Sequence, residues 1–227
     1  FLNPQEFEAF KAVYDAKEES LVPWDRIGKV IVDDQAIHKH VDKILAELDT
    51  SALRKKPLRI LVDVNHGAGA VANPILFKKL GIDADIMYPE PNGQFFHTPE
   101  PTKENLSALM KKMKSGNYDI GFAQDPDADR LVIIDENGHF IGEDYSLALC
   151  VEYILKRHSN DTDKNVVVNL STSLVIEAVA ANYQASTHYT KIGETNVTQG
   201  IRERNATVGG EGNGGIIYPK IGWGRDS

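Results

Sequence analysis

The chain has little cysteine, no long apolar run and no excess of basic charge, and each shortage removes a class of protein. One cysteine, Cys150, in 227 residues cannot build an intramolecular disulfide framework, which suits a reducing cytoplasm as the expected compartment. No apolar run reaches the length of about 18 residues that a membrane helix needs, so no span is expected. Lys and Arg number 25 against 33 Asp and Glu, a formal net charge of −8. A nucleic-acid binder would normally carry the opposite balance, so none is expected as a partner. The start, Phe1-Leu2-Asn3-Pro4, has neither an initiator methionine nor a signal-peptide pattern. Four Asn-x-Ser/Thr triplets, at Asn160, Asn169, Asn196 and Asn205, read as chance matches in a cytoplasmic chain. What is present, 41% hydrophobic and 26% charged residues, is ordinary globular composition and enough for one large domain or two modest ones.

The first 55 residues or so are helical in pattern. Phe7, Phe10, Val13 and Tyr14 make one stripe over residues 6–17, and Ile37, Val41, Ile44, Leu45 and Leu48 make another over 37–48. Such helices need something to pack against, so this part reads as a connector or the tail of another domain. From Leu58 the texture changes. Branched apolar runs at 58–64, 82–88 and 118–123 alternate with helical stretches at 71–80 and 102–114. Residues 130–135 and 139–141 read as a hairpin around Asn137-Gly138. A second unit of similar grammar begins near Gly142. Its strands lie at 166–170 and 185–189, its helices at 143–157, up to about 183, and 195–204, with Ser171-Thr172-Ser173 as a helix cap. Alternation of this kind implies an α/β fold with largely parallel sheets covered by helices, and the two units read as distant repeats.

The sharpest chemical signal is Asp125-Pro126-Asp127-Ala128-Asp129-Arg130, set between two apolar strands. Three converging carboxylates repel one another unless a positive group sits among them, and a hard divalent cation such as Mg²⁺, which takes oxygen ligands, is the usual one. A solvated turn is the bland alternative. A helix-loop-helix calcium site also opens D-x-D-x-D, but it requires glycine where Arg130 stands, and Leu131 to Ile134 form an apolar strand. A phosphatase or phosphotransferase using Asp125 as nucleophile is a further alternative, as is a non-catalytic metal-binding module.

A second stretch, Gly209 to Gly215, holds five glycines around Glu211 and Asn213. Between two strands it reads either as a tight corner or as a loop presenting one carboxylate and one amide to a polyhydroxylated ligand. No helix follows it, which excludes a dinucleotide fingerprint.

With these two loops together the chain resembles the α-D-phosphohexomutases, the family of phosphoglucomutase, phosphomannomutase and phosphoglucosamine mutase. The resemblance runs over essentially the whole chain, including residues 64–69 and 190–194. It implies similar three-layer αβα domains, with residues 1–50 a remnant and connector, 51–142 carrying the metal loop, and 143–227 carrying the sugar-recognition loop. It implies Mg²⁺ held by Asp125, Asp127 and Asp129, Arg130 beside the reacting phosphoryl group, and Glu211, Asn213, Gly193 and Glu194 on the hexose phosphate. Many members have Ser where this chain has Asn213, and His where it has Gly215. The family's nucleophilic serine loop and C-terminal phosphate-binding loop have no counterpart in the sequence. The expectation is therefore a central piece of a phosphohexomutase, unable to turn over by itself, whose flanking domains belong to the same polypeptide.

Overall fold

The computed structural model describes residues 2–17, 21–56 and 58–227. Residues 1–36 form one unit and 37–227 a second. In the first, helix α1 (Pro4–Ala16) opens on a capping box, in which the Asn3 side chain accepts from the Glu6 N–H and the Glu6 carboxylate accepts from the Asn3 N–H. Pro4 fills a position whose N–H would lack a partner in any case. No described residue of α1 is buried, and a 3-10 turn follows at Trp24–Arg26. Helices α2 (Ala36–Glu47) and α3 (Ser51–Lys55) lead into the first sheet.

Strand β1 (Arg59–Asp63) is the centre of that sheet, whose order is β2-β1-β3-β4 with β2 (Asp83–Met87), β3 (Ile120–Gln124) and β4 (Leu131–Ile134). The β1 pairs are parallel and the β3–β4 pair is antiparallel. Side chains alternate across a strand. Leu61 therefore packs with Leu106, Leu109 and Met113 beside helix α5 (Ser107–Ser115). Ile60 and Val62 face the other way, towards Phe77 of helix α4 (Gly69–Leu80). These two clusters are the two interfaces of a helix–sheet–helix sandwich.

The second sheet repeats the plan. Its order is β6-β5-β7-β8, built from β5 (Asn165–Asn169), β6 (Ser186–Thr190), β7 (Val208–Glu211) and β8 (Gly215–Ile217), again with only the last pair antiparallel. Val166 and Val168 pack with Leu147, Val151 and Ile176 of α6 (Glu143–Arg157) and α7 (Val175–Asn182). Val167 faces Val197 and Ile201 of α8 (Glu194–Glu203). A strand covered on both faces has no need of polar alternation, which explains the unbroken valine run. The β3–β4 loop, with the three aspartates, and the β7–β8 loop, with the glycines, thus occupy equivalent places in the two repeats.

Local differences from the sequence reading have physical causes. Helix α5 starts at Ser107 rather than near Thr102: residues 103–106 form turns, in which the Asn105 and Leu106 N–H groups donate to the Thr102 carbonyl and the Asn105 side chain donates to the Glu100 carbonyl. Residues 139–141 do pair back in a hairpin, though more briefly than a full strand: Phe140 bridges to Ile134, the Asp135 N–H donates to the His139 carbonyl and the Ile141 N–H to the Ile133 carbonyl, while the Asp135 side chain takes the N–H groups of Asn137 and His139. Helix α7 begins at Val175, whose N–H donates to the Ser173 hydroxyl at 3.3 Å, so only Ser173 of the three caps it, and the Ser171 and Thr172 hydroxyls donate to Asn169. Asn169 is 2% exposed, which removes it as a glycan acceptor. Among the described residues no helix is long and apolar enough to cross a membrane.

Candidate functional site

The three aspartates come together, with one ligand oxygen from each lying within 4.8 Å of the others. Their environments differ. Asp125 is buried, and its Oδ1 accepts from the N–H groups of Asp129 and Arg130, both at 3.1 Å, which shapes the loop from inside. Ala128 takes a left-handed conformation at φ +59°, so the chain reverses tightly enough to return Asp129 beside Asp125. Asp127 is exposed, and among the described residues no group hydrogen-bonds to its carboxylate. Asp129 is half-buried and its Oδ1 has no hydrogen-bond partner. Burial, together with the charges of Asp125 and Asp127 and against the pull of Arg225, pushes its carboxyl up to about 6. The loop concentrates more negative charge than its own cations neutralise.

Arg130 is held from two sides. Its Nε donates to Asp125 Oδ2 at 2.6 Å, and its Nη1 donates to Glu100 Oε2 at 2.6 Å. Although burial opposes the charge, these hydrogen bonds raise the guanidinium above its ordinary value, so it is a fixed cation. Arg130 then passes directly into β4, which leaves no room for the cap or helix that follows the nucleophile in an aspartyl phosphatase.

The loop rests on the turn after β1. Asn65 and His66 both adopt positive φ, and the buried Asn65 side chain ties the turn to residues 96 and 97 through three hydrogen bonds. Gly67 lies directly beneath Pro126, where a Cβ would meet the Pro126 carbonyl oxygen at 2.5 Å, so only glycine fits. Beside it, His97 Nε2 lies 3.2 Å from Oδ2 of the buried Asp63. That hydrogen bond raises the His97 pKa above its ordinary value, against the effect of burial. The sign follows: the pair's contribution is fully present below about pH 6.5 and is lost as pH rises through the raised value. Thermal unfolding should therefore show the wild type losing its advantage over His97→Gln as pH rises above about 6.5. An advantage that does not change with pH would mean that the pair is not ionic.

The glycine loop meets the acidic loop directly. The Leu131 N–H donates to the Gly214 carbonyl at 3.2 Å. Gly214 has φ +92°, and a Cβ there would lie 2.4 Å from the Leu131 carbonyl oxygen. Glu211 is buried, with Oε1 accepting from Asn169 Nδ2 at 2.7 Å and from the Gly193 N–H at 3.2 Å. Its Oε2 accepts from Arg225 Nη1 at 2.8 Å. Asn213 Oδ1 accepts from the Gly215 N–H at 3.3 Å. Glu194 opens α8 and accepts from the Arg225 N–H at 2.6 Å. Asp125, Asp127, Asp129 and Arg130 are thus gathered on one loop, and Gly193, Glu194 and Glu211 are gathered around Arg225.

Two αβα units in succession are also what comparison with known proteins finds. Residues 38–138 match the model of the phosphoglucomutase/phosphomannomutase alpha/beta/alpha domain II, and residues 142–227 match that of domain III. The chain belongs to the phosphoglucomutase/phosphomannomutase family. A phosphoglucomutase/phosphomannomutase of Thermococcus kodakarensis is 36% identical over 204 residues, 89% of this chain and 44% of that protein. A Methanosarcina barkeri protein named probable phosphoglucosamine mutase is 35% identical over 98% of this chain and 49% of its own length. A phosphoglucomutase/phosphomannomutase family structure from Burkholderia thailandensis superposes with a TM-score of 0.82 at 25% identity, covering 100% of this chain and 47% of that one. The chain spans about half the length of the curated relatives it matches. Within this family frame, two site residues were not singled out from the sequence, Glu100 and Arg225. Each acts on a partner at least 14 positions away, beyond the reach of any local pattern.

Proposed function

We propose that the chain is the metal- and sugar-binding centre of a phosphohexomutase that interconverts hexose 1-phosphate and hexose 6-phosphate through a phosphoserine. The observation that carries this reading is the junction of the β3–β4 and β7–β8 loops, which puts the aspartate cluster next to Glu211 in a chain of this family. The donor set suits a hard cation. Three carboxylates converge, Asp127 lacks a hydrogen-bond partner among the described residues, and the buried Asp129 Oδ1 lacks one too. Asp125, Asp127 and Asp129 would hold Mg²⁺, whose contribution when bound is to neutralise charge on a phosphoryl group.

The chain's own residues supply the rest. Arg130, fixed by Asp125 and Glu100, presents permanent positive charge beside the reacting phosphoryl group. Glu211 and Asn213, with the Gly193 amide and Glu194, bind sugar hydroxyls. The hydrogen bonds these groups now make to Asn169, Arg225 and Gly215 hold them in place for exchange with a ligand. Domain limits near residues 50 and 142, a cytoplasmic location, flanking domains that bring the serine, and inactivity of these 227 residues alone complete the reading.

The test is an assay of the full-length parent polypeptide on glucose, mannose and glucosamine 1-phosphates with Mg²⁺. At least one should be converted to its 6-phosphate, with phosphate found on a serine ahead of residue 1. Conversion of none, or the absence of such a serine, would end the proposal.

A further inference from the structure

One arginine joins the acidic loop to the glycine loop. Arg225 Nη1 donates to Glu211 Oε2 at 2.8 Å, and Nη2 donates to Asp129 Oδ2. Its backbone N–H donates to Glu194 Oε1 at 2.6 Å, and its Nε lies 3.4 Å from Glu194 Oε2. Asp129 comes from the β3–β4 loop, Glu211 from the end of β7, and Glu194 from the first turn of α8. The side chain is only 16% exposed and is packed against Gly215, where a Cβ would lie 2.4 Å from Arg225 Cδ. Three carboxylates from three elements therefore share one sequestered guanidinium.

We propose that Arg225 is a positioning residue that ties Asp129 to Glu211, and that a divalent cation entering the aspartate cluster displaces it from Asp129 towards Glu211 and Glu194. This rests on the metal reading above. Asp129 has Oδ2 on Arg225, and Oδ1 without a hydrogen-bond partner at 3.7 Å from Arg130 Nε, so a cation approaching Oδ1 competes with the Arg225 guanidinium for the same charge. Arg225 does not need to leave the site, because Glu194 and Glu211 retain it. Metal occupancy is thereby felt at Glu211, and by linkage a ligand that engages Glu211 changes metal affinity by the same factor.

The test is Mn²⁺ titration, by calorimetry or spin resonance, of the 227-residue chain as wild type, Arg225→Met and Arg225→Lys, each with and without Glu211→Gln. Arg225→Met should bind Mn²⁺ about tenfold more tightly, within the range found for coupled sites. Arg225→Lys keeps the charge but cannot fork across two carboxylates, and should tighten binding about threefold. If the Met variant fails to fold, the Lys variant carries the comparison. Glu211→Gln should weaken Mn²⁺ binding in the wild type, where Arg225 then stays on Asp129, and have at most about a twofold effect without Arg225. A merely structural arginine would lower the melting temperature and leave Mn²⁺ affinity unchanged or weaker, which overturns the proposal. An equal Glu211→Gln effect in all backgrounds also overturns it, because a simple field effect then suffices. Uptake by the wild type with no change in the arginine variants removes this inference alone, whereas no Mn²⁺ uptake by any variant removes the metal reading with it.

Discussion

Asp127→Ala should abolish divalent-cation binding while leaving the fold intact, and should lower the Mg²⁺-dependent activity of the full-length parent by at least about 100-fold. That magnitude is the upper end of what losing a mere outer-shell partner of a metal costs. The three aspartates are unequal, and this makes Asp127 the informative one. Asp125 organises the loop by accepting two backbone N–H groups and Arg130, so its removal would confound loop collapse with ligand loss. Asp129 is engaged with Arg225. Asp127 is exposed and makes no described hydrogen bond, so its carboxylate has no structural task to lose. Circular dichroism and melting temperature should match the wild type, and Mn²⁺ titration should show no uptake. Full metal uptake by Asp127→Ala would remove this aspartate from the ligand set.

The second large effect is steric. Gly214→Val should destabilise the chain by about 1–3 kcal/mol from overpacking, plus about 1–2 kcal/mol for forcing a side chain into left-handed backbone. The new Cβ would lie 2.4 Å from the Leu131 carbonyl oxygen, at φ +92°. The clash falls on the backbone hydrogen bond that joins the two repeats, and Leu131 follows Arg130 directly, so weaker metal binding should accompany the lost stability. Gly222→Ala is the control, because nothing lies within 4 Å of its added Cβ. It should change stability by less than about 0.5 kcal/mol in urea unfolding. Equal stability of the two variants would show that the Leu131–Gly214 contact does not hold the repeats together.

Much of the architecture was legible because its signals are local. The valine run at 166–168 and the apolar run Ile60-Leu61-Val62 announce covered strands, and the aspartates stand out because apolar strands flank them on both sides. What could not be read was mostly long-range. The glycines of the 209–215 stretch read either as a tight corner or as a loop open to a ligand, and the groups that approach Gly214 and Gly215 closely are Leu131 and Arg225 of the chain itself. Glu100 reaches Arg130 from 30 positions away, and Arg225 reaches Asp129 from 96. The first pairing depends on how the first repeat folds and the second on how the two repeats dock, and no sequence window contains both partners. The pairing at 139–141, shorter than a full strand, has a different origin. There the Asp135 side chain takes the His139 N–H that a longer ladder would use.

The central claim is that Asp125, Asp127 and Asp129 form one divalent-cation site. Anomalous diffraction from crystals of the full-length parent soaked in Mn²⁺ tests it most directly. The account predicts a single strong peak at this loop, with one oxygen from each of the three aspartates about 2 Å from the ion, as for a small octahedral cation. No peak there, or a peak held by other side chains while Arg225 stays on Asp129, would contradict it.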